Sequence, residues 1–159
     1  MSERILDQLG VLTLGSRLRR ITDSIYMQAD EVYRHAGADF QAAWFPVIFL
    51  LADQGVMGVK ELAEQSRQTH SAVSQLLTKL TARGYVQKVG NADRRRSDFQ
   101  LSGEGDALVV KLQPVWGAFI EAIDEMLSHS SHDIVAAVAD FEEQLIPDGL
   151  LRNSLKALP

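Results

Sequence analysis

The feature that most constrains the fold is a change in the spacing of apolar residues within residues 59–102. In the first part of this stretch, four apolar residues follow the 3.6-residue period of a helix: Val73, Leu76, Leu77 and Leu80. Thr69 can cap the start of this helix, and Gly84 can end it in the left-handed conformation that glycine tolerates. Residues 59–65 predict a shorter helix before it, and residues 66–68 supply the turn between the two. The stretch therefore predicts a helix-turn-helix.

Beyond Gly84 the apolar period changes from 3.6 to 2, which is typical of β-strands. Residues 85–89 and 97–101 alternate as strands do, and the Gly-Asn-Ala-Asp sequence at 90–93 provides turn chemistry between them. A two-stranded hairpin after a helix-turn-helix makes a winged helix. The tip of this wing carries three consecutive arginines at 94–96.

The second helix carries short polar side chains on the face opposite its apolar stripe, instead of the Glu and Lys mixture of a solvated surface. Short donors and acceptors of this kind suit the base edges of a DNA major groove. The candidate DNA-binding residues of the helix and the wing are Thr69, His70, Ser71, Ser74, Gln75, Thr78, Lys79, Arg94, Arg95 and Arg96. For each of the helix residues, the alternative to a DNA contact is that the side chain is simply part of a solvated surface.

These residues differ in the part of DNA that they suit. Glutamine pairs bidentately with adenine and serine serves several bases, so Ser71, Ser74 and Gln75 are candidates for base or phosphate contacts. His70 is either a phosphate donor or a plain first-turn residue, and Thr78 and Lys79 are expected to face the DNA backbone. In the wing, Arg95 suits a narrow minor groove, and Arg94 and Arg96 suit phosphates.

The charge distribution fits a polyanionic partner, although the net charge of the chain is −5. Residues 60–100 contain eight basic and four acidic residues, a net charge of +4, and the rest of the chain carries −9. The local field steers association with DNA more than the net charge does. The sequence has no cysteine, which excludes disulfides, zinc ribbons and a thiol redox switch.

The order of these motifs resembles the MarR family of bacterial winged-helix regulators. The resemblance rests on the helix-turn-helix, Gly-Tyr-Val at 84–86, Asp-Arg-Arg-Arg at 93–96, and Leu-Ser at 101–102 leading into a helix. Asp93 and Arg95 match the Asp-x-Arg wing signature of the family, which implies that Asp93 holds the shape of the wing. The upstream stretches GSRLRRI and WFPVIFLLA resemble the subset of the family that is fused to acetyltransferases. The resemblance covers roughly residues 11–145.

Helical patterns flank the winged helix on both sides. An apolar stripe predicts a long helix over residues 14–35. Residues 44–46 open the next helix, in which residues 47–51 are apolar nearly all round, as in a buried strut. Ser102 can cap a second long helix, in which Pro114 is expected to cause a kink or a break. Residues 133–145 predict another helix, and Asp148 can cap a last short one. Near the start, Arg17, Arg19 and Arg20 form a basic cluster that suits a solvated or interface face, with a DNA-backbone contact or an acidic-ligand anchor as alternatives.

The terminal helices carry more apolar residues than one small domain can cover. Leu150, Leu151 and Leu155 have no evident partner within the chain, and such apolar surface usually marks an interface. The resemblance implies the same, because family members dimerise through their terminal helices and read two half-sites. We interpret residues 1–159 as a single domain with the winged helix-turn-helix at about 56–102 and dimerisation helices at about 4–53 and 102–158. The predicted fold class is mainly α with a small β-hairpin wing.

Aromatic residues at helical spacing are either core or the lining of a pocket. The resemblance implies a pocket for an aromatic or phenolic effector, and its candidate residues are Tyr26, Tyr33, Trp44, Phe45, Trp116 and Phe119. His129 and His132 are close together near carboxylates, but a structural zinc site needs four ligands at defined spacing and no cysteine is present. We therefore predict no metal and no cofactor.

These patterns predict a DNA-binding transcription regulator, most often a repressor in the family, that binds double-stranded DNA as a homodimer. The alternative is a winged-helix module that docks to an acidic protein surface and does not bind DNA specifically. We predict no enzyme, because the chain has no Ser/His/Asp signature, no convincing carboxylate pair and no Gly-rich pyrophosphate loop. No apolar run approaches 18 residues and the first residues lack a signal-peptide pattern, so we expect a cytoplasmic protein with no membrane partner.

Overall fold

The computed structural model describes residues 5–90 and 97–158, and within them the chain is mainly helical. Segments of 3-10 helix occur at Ile5–Thr13 and Ala42–Trp44. The longer helices are α1 Leu14–His35, α2 Phe45–Gln54, α3 Val59–Gln65, α4 His70–Ala82, α5 Gly103–Ser128, α6 Ile134–Leu145 and α7 Gly149–Ala157. The strands are β1 Met57–Gly58, β2 Val86–Val89 and β3 Asp98–Leu101. The predicted fold class, mainly α with a small β wing, is confirmed.

The helix boundaries around the winged helix follow from local capping. The Thr69 hydroxyl accepts a hydrogen bond from the Ala72 N–H at 3.1 Å, which satisfies one of the free donors at the start of α4. Gly84 has a φ of 79° just past the end of α4, as predicted. At α5, the Gly105 N–H donates to the Ser102 hydroxyl at 3.1 Å. The predicted caps of both helices are therefore confirmed.

The sheet has three strands where the sequence predicts two. β3 lies between β1 and β2 and is antiparallel to both, with Val86 opposite Leu101 and Met57 opposite Phe99. The hairpin register confirms the predicted pairing, with each strand one residue shorter than expected. β1 was missed because a two-residue strand is too short to show an alternating pattern.

The described residues divide into two compact units, one up to Val115 and one from Trp116, and α5 contributes to both. The interpretation of residues 1–159 as one domain stays a prediction. The core of the first unit is formed by buried residues of α2, α3, α4, the sheet and the first half of α5. Its most deeply buried side chains include Val47, Ile48, Leu51, Met57, Leu62, Val73, Leu77, Leu80, Val86 and Leu112.

The prediction that α2 is buried all round is wrong. One side of α2, Val47, Ile48 and Leu51, is buried, whereas Phe49 is 45% exposed. A run of apolar residues does not show how many sides of a helix pack against other elements. The helix does begin as predicted, with Pro46 in its first turn, where proline has no hydrogen bond to lose.

Two further predictions concern helix ends and breaks. α5 continues through Pro114 as one helix, so a break at this proline is excluded and the alternative, a kink, stays a prediction. The predicted cap at Asp148 is wrong, since this side chain makes no capping hydrogen bond at the start of α7. Its carboxylate lies 3.6 Å from the Arg152 guanidinium one turn later. By contrast, Asp133 caps α6, since its carboxylate accepts from the Ala136 N–H at 2.9 Å.

The second unit consists of the end of α5 together with α6 and α7. No residue of α6 is buried, and in α7 only Gly149 is. The predicted exposure of Leu150, Leu151 and Leu155 is observed in this single chain, at 69%, 62% and 60%. Among the helices of residues 5–90 and 97–158, none combines the length and hydropathy that crossing a membrane requires.

Candidate nucleic-acid interface

The candidate interface is built on α4. The apolar side of this helix packs against the core, and its polar side is exposed to solvent. Val73, Leu77 and Leu80 anchor one side of the helix in the core, and Leu76 is half-buried beside them. This burial fixes the rotation of α4 about its axis. The opposite side is therefore presented to solvent.

The polar side chains of α4 form two neighbouring stripes, since residues four apart lie on the same face of a helix. The first stripe is His70, Ser74 and Thr78, and the second is Ser71, Gln75 and Lys79. Ser74 is half-buried and the other five are exposed. Among the predicted helix residues, these six and the Thr69 cap are thus brought together at one surface.

A groove of about 700 Å³ runs between α4, the start of α3 and strand β3. The first stripe of α4 lines one of its walls through His70, Ser74 and Thr78. The second stripe does not line the groove and lies on the open surface beside it. The winged helix therefore presents a groove next to an open polar face.

Residues from other elements line the groove and were not identified as site residues from the sequence. They are Gly58, Val59 and Lys60 at the start of α3, Leu77 of α4, and Ser97, Asp98 and Phe99 of the wing. Lys60 is 85% exposed, and its ammonium lies 3.7 Å from the Glu64 carboxylate. The only sequence signal for these residues was their position inside the winged helix, because the groove forms when β3 pairs with β1 and passes beside α4.

Two hydroxyls of the site are committed to the backbone. The Thr78 hydroxyl donates to the Ser74 carbonyl oxygen at 2.9 Å, and the Thr69 hydroxyl accepts the capping bond from Ala72. Each oxygen keeps lone pairs and Thr69 keeps its proton, so Thr78 can accept and Thr69 can donate. A donor to a phosphate is therefore available at the N-terminus of α4.

The tip of the wing lies outside the described residues. Asp93, Arg94, Arg95 and Arg96 fall in residues 91–96, and their predicted roles stay predictions. Strands β2 and β3 on either side of this segment are paired through Val89 and Asp98.

The C-terminal end of α4 is tied to the segment between α1 and α2. The Arg83 guanidinium forms an ion pair with the Asp39 carboxylate and lies 4.8 Å from the centre of the Trp44 ring. The Tyr85 hydroxyl donates to the Asp39 carbonyl oxygen at 3.3 Å. Burial raises the pKa of Tyr85 above its usual value, and the Asp39 carboxylate adds to this effect. Tyr85 is therefore a protonated donor well beyond neutral pH.

The residues predicted to line an effector pocket are divided between the two units. Tyr33 and Trp44 are buried in the first unit, each against Phe40, with ring centroids 4.7 and 5.7 Å apart. Tyr26 and Phe45 of the same unit are 45% and 37% exposed. Trp116 and Phe119 belong to the second unit. Tyr33 and Trp44 are thus core residues, and the pocket stays a prediction.

The remaining sequence candidates lie on exposed helices and loops. Arg19 and Arg20 line a shallow recess of about 320 Å³ along α1, where the Arg19 guanidinium lies 3.7 Å from the Asp23 carboxylate. His129 and His132 are exposed in the loop after α5. Within residues 5–90 and 97–158, no group of three or more histidines and carboxylates is arranged to hold a metal ion.

The sequence that builds this site matches a known family. Residues 38–97 match the model described as the MarR family, a range that contains α2, β1, α3, α4 and β2. This segment is a MarR-family winged helix. Members of the MarR family are transcription regulators and not enzymes. A search of curated proteins found no match to the sequence.

The MarR-type fold extends over most of the chain. The structure is similar to a cysteine-to-serine mutant of MarR from E. coli complexed with operator DNA, at 18% identity and a TM-score of 0.69, covering 91% of this chain and 100% of that one. It is also similar to MosR from M. tuberculosis in complex with DNA, at 20% identity and a TM-score of 0.66, over 80% and 90% of the two chains. PcaV from Streptomyces coelicolor in complex with its natural ligand gives 20% identity and a TM-score of 0.64, over 91% and 96%.

Proposed function

We propose that this protein is a sequence-specific DNA-binding repressor that binds a palindromic operator as a homodimer. The observation that carries the proposal is the open polar face of α4, capped by Thr69 and bordered by the groove beside the wing. The N-terminal part of a recognition helix contacts base edges when the helix lies in a major groove. The similar E. coli and M. tuberculosis structures contain DNA, which supports this reading of the surface.

The two stripes of α4 suggest a division of roles. Ser71 and Gln75 lie on the open surface and are proposed as base-contacting residues, together with Ser74, which lines the groove beside them. Lys79 at the far end of the second stripe, and His70 and Thr78 in the groove, are proposed to face phosphates. In this arrangement the phosphate contacts set the register and the base contacts provide specificity.

The wing is proposed to contact the minor groove through Arg95, with Arg94 and Arg96 at phosphates and Asp93 holding the shape of the tip. The strands that carry this tip are paired at Val89 and Asp98. An arginine is attracted to a narrow minor groove because its negative potential is enhanced.

The oligomer is proposed to be a two-fold dimer formed by the terminal helices. The exposed leucines of α7 and the exposed stripe of α1, including Ile21 and Ile25 at 52% and 51%, provide the apolar surface that such an interface buries. A two-fold axis would present two copies of α4 to two half-sites.

The effector is proposed to be a small aromatic acid that releases the DNA. The similar proteins NadR, in complex with 4-hydroxyphenylacetate, and BpsR of Bordetella bronchiseptica, whose DNA binding is regulated by 6-hydroxynicotinic acid, support this class of ligand. An effector shifts the population only through different affinities for the DNA-competent and DNA-incompetent states. A regulator of this kind is proposed to work in the cytoplasm.

The test is a fluorescence anisotropy titration of the full chain against labelled DNA from its upstream intergenic region, at several salt concentrations. Each phosphate neutralised by the protein adds about 0.9 to the slope of log K against log salt, so we expect a steep decrease in affinity with salt. Adding 4-hydroxyphenylacetate or 6-hydroxynicotinic acid to the complex tests the effector class. Affinity equal to that for random DNA would exclude an operator in this region, and a shallow salt dependence would favour the protein-docking alternative.

The wing is tested in the same titration with Arg95→Ala. We expect a loss of about 1–3 kcal/mol of DNA-binding free energy with an unchanged thermal unfolding midpoint. Arg34→Ala is the matched control, because Arg34 is an exposed arginine of α1 paired with Glu31 and contributes nothing to the groove. Equal affinities of the two variants for DNA would remove the wing tip from the interface.

A further inference from the structure

Three helices of the first unit end with the same pair of backbone hydrogen bonds. In α1, α3 and α4, the second residue past the helix cap donates back to a carbonyl five residues earlier: Ala38 to Tyr33 at 2.9 Å, Gln68 to Ala63 at 3.0 Å and Tyr85 to Leu80 at 3.0 Å. The residue before each of these donors binds a carbonyl three residues earlier: Gly37 to Arg34 at 3.0 Å, Arg67 to Glu64 at 3.3 Å and Gly84 to Thr81 at 3.0 Å. This pair of bonds is the Schellman motif, which requires a left-handed residue just past the cap.

The three motifs differ in the residue that adopts the left-handed conformation. Gly37 and Gly84, with φ of 65° and 79°, serve α1 and α4, whereas Arg67, with φ of 53°, serves α3. Within residues 5–90 and 97–158, Arg67 is the sole non-glycine residue with a positive φ. The conformation is costly for an arginine because its Cβ comes close to the following carbonyl oxygen, and glycine has no such cost. The turn inside the helix-turn-helix therefore carries a conformational cost that the other two turns avoid.

Strained backbone at a functional surface is often maintained because the side chain has a task there. Arg67 is exposed and lies in the turn between α3 and α4, two residues before the Thr69 cap. Two residues of chain span at most about 7 Å, so the Arg67 backbone is next to the N-terminal end of the polar face. A guanidinium at this place can form two parallel hydrogen bonds to a phosphate.

We propose that Arg67 contacts a phosphate of the DNA that α4 reads, and that this contact is the reason an arginine occupies a position suited to glycine. The inference rests on the proposed function and adds to it a backbone-contacting residue outside the recognition helix and the wing. A phosphate contact positions the protein without reading sequence. Arg67 therefore contributes to the affinity for any DNA and not to the preference for the operator.

A competing explanation needs no DNA. A cation near the C-terminus of α3 is attracted by the partial negative charge of the helix end. This explanation predicts that the loss of Arg67 changes folding stability and leaves the number of phosphate contacts unchanged. Stability and salt dependence are measured separately, so the two explanations can be distinguished.

The experiment compares Arg67→Gly, Arg67→Gln and Arg67→Lys in the full chain, with labelled double-stranded DNA of random sequence as the probe. Glycine removes both the charge and the strain, glutamine removes only the charge, and lysine keeps the charge. Arg34→Gln is the matched control, since it removes one exposed arginine from α1. Thermal unfolding and the slope of log K against log salt are measured for each protein.

We expect the slope to become shallower by about 0.9 for each bound protomer in the glycine and glutamine variants, and to stay unchanged in the lysine and Arg34→Gln variants. The unfolding midpoint of the glycine variant is expected to equal or exceed that of the glutamine variant, because the left-handed strain is relieved. Wild-type binding with an unchanged slope in the glutamine variant would overturn the inference and leave the proposed function intact. A wild-type protein without salt-dependent DNA binding would overturn both.

Discussion

Arg83 ties the C-terminal end of α4 to the segment between α1 and α2. It forms the C-cap of α4, pairs with Asp39 and stacks on Trp44. Both partners come from a distant part of the sequence, before α2 begins. The Arg83 and Asp39 side chains are 39% and 65% exposed, so solvent screens the ion pair and its net contribution is small. Stacking on an aromatic ring adds a second contribution, since the guanidinium is attracted to the ring face.

Arg83→Ala is expected to destabilise the fold by about 1–2 kcal/mol, the sum of a screened ion pair and an exposed cation–π contact. Asp39→Ala removes only the ion pair and is expected to cost less. Urea unfolding of the wild type, both single variants and the double variant gives the coupling energy, for which we expect about 0.2–1 kcal/mol. Strictly additive single variants would show that the pair contributes nothing and that Arg83 acts through Trp44 alone.

The start of α5 is the element that closes the wing against the core. Gly105 is buried there, and a Cβ at this position would lie 2.1 Å from the Tyr85 carbonyl oxygen, which is backbone at the entry to β2. Neither partner can move without displacing a helix or a strand. Gly105 is thus required by a close approach of two backbones, not by a turn.

Gly105→Ala is expected to destabilise the protein by at least about 1–3 kcal/mol, as overpacking in a core does. Gly103→Ala in the same turn is the control, because no atom lies within 4 Å of its Cβ position, and we expect it to be neutral or stabilising by up to about 1 kcal/mol. Chemical denaturation of both variants checks the difference. Equal stabilities would mean that α5 and β2 are not held this close in solution.

At the scale of the molecule, the terminal helices leave a large apolar surface uncovered in this single chain. Leu151 and Leu155 are one turn apart on α7 and are 62% and 60% exposed, and α6 has no buried residue. Two amphipathic helices that bury so little have no stabilising core of their own. The proposed dimer supplies the missing contact surface.

Leu151→Glu is expected to weaken the dimer at least about tenfold, because losing the burial of one leucine costs about 1.5–3 kcal/mol. Asn153→Glu is the control, since it adds the same charge to α7 about half a turn away from Leu151 and Leu155. Sedimentation velocity over a range of protein concentrations measures both, and circular dichroism checks the helix content. If Leu151→Glu sediments as the wild type does at every concentration, α7 is not part of the dimer interface.

The sequence by itself determined the helices of the winged helix, the caps at Thr69 and Ser102, the left-handed Gly84 and the pairing of β2 with β3. These features depend on residues close together in the sequence or in consecutive strands, so period, turn and capping chemistry predict them. The three-strand sheet, the groove shared by Lys60, His70 and Asp98, and the link from Arg83 to Asp39 were decided only by the tertiary structure. They join residues far apart in the sequence, and a local sequence pattern does not predict which distant segments pack together. The left-handed Arg67 was not predicted either, although its turn is local, because intrinsic preference alone would place a glycine there.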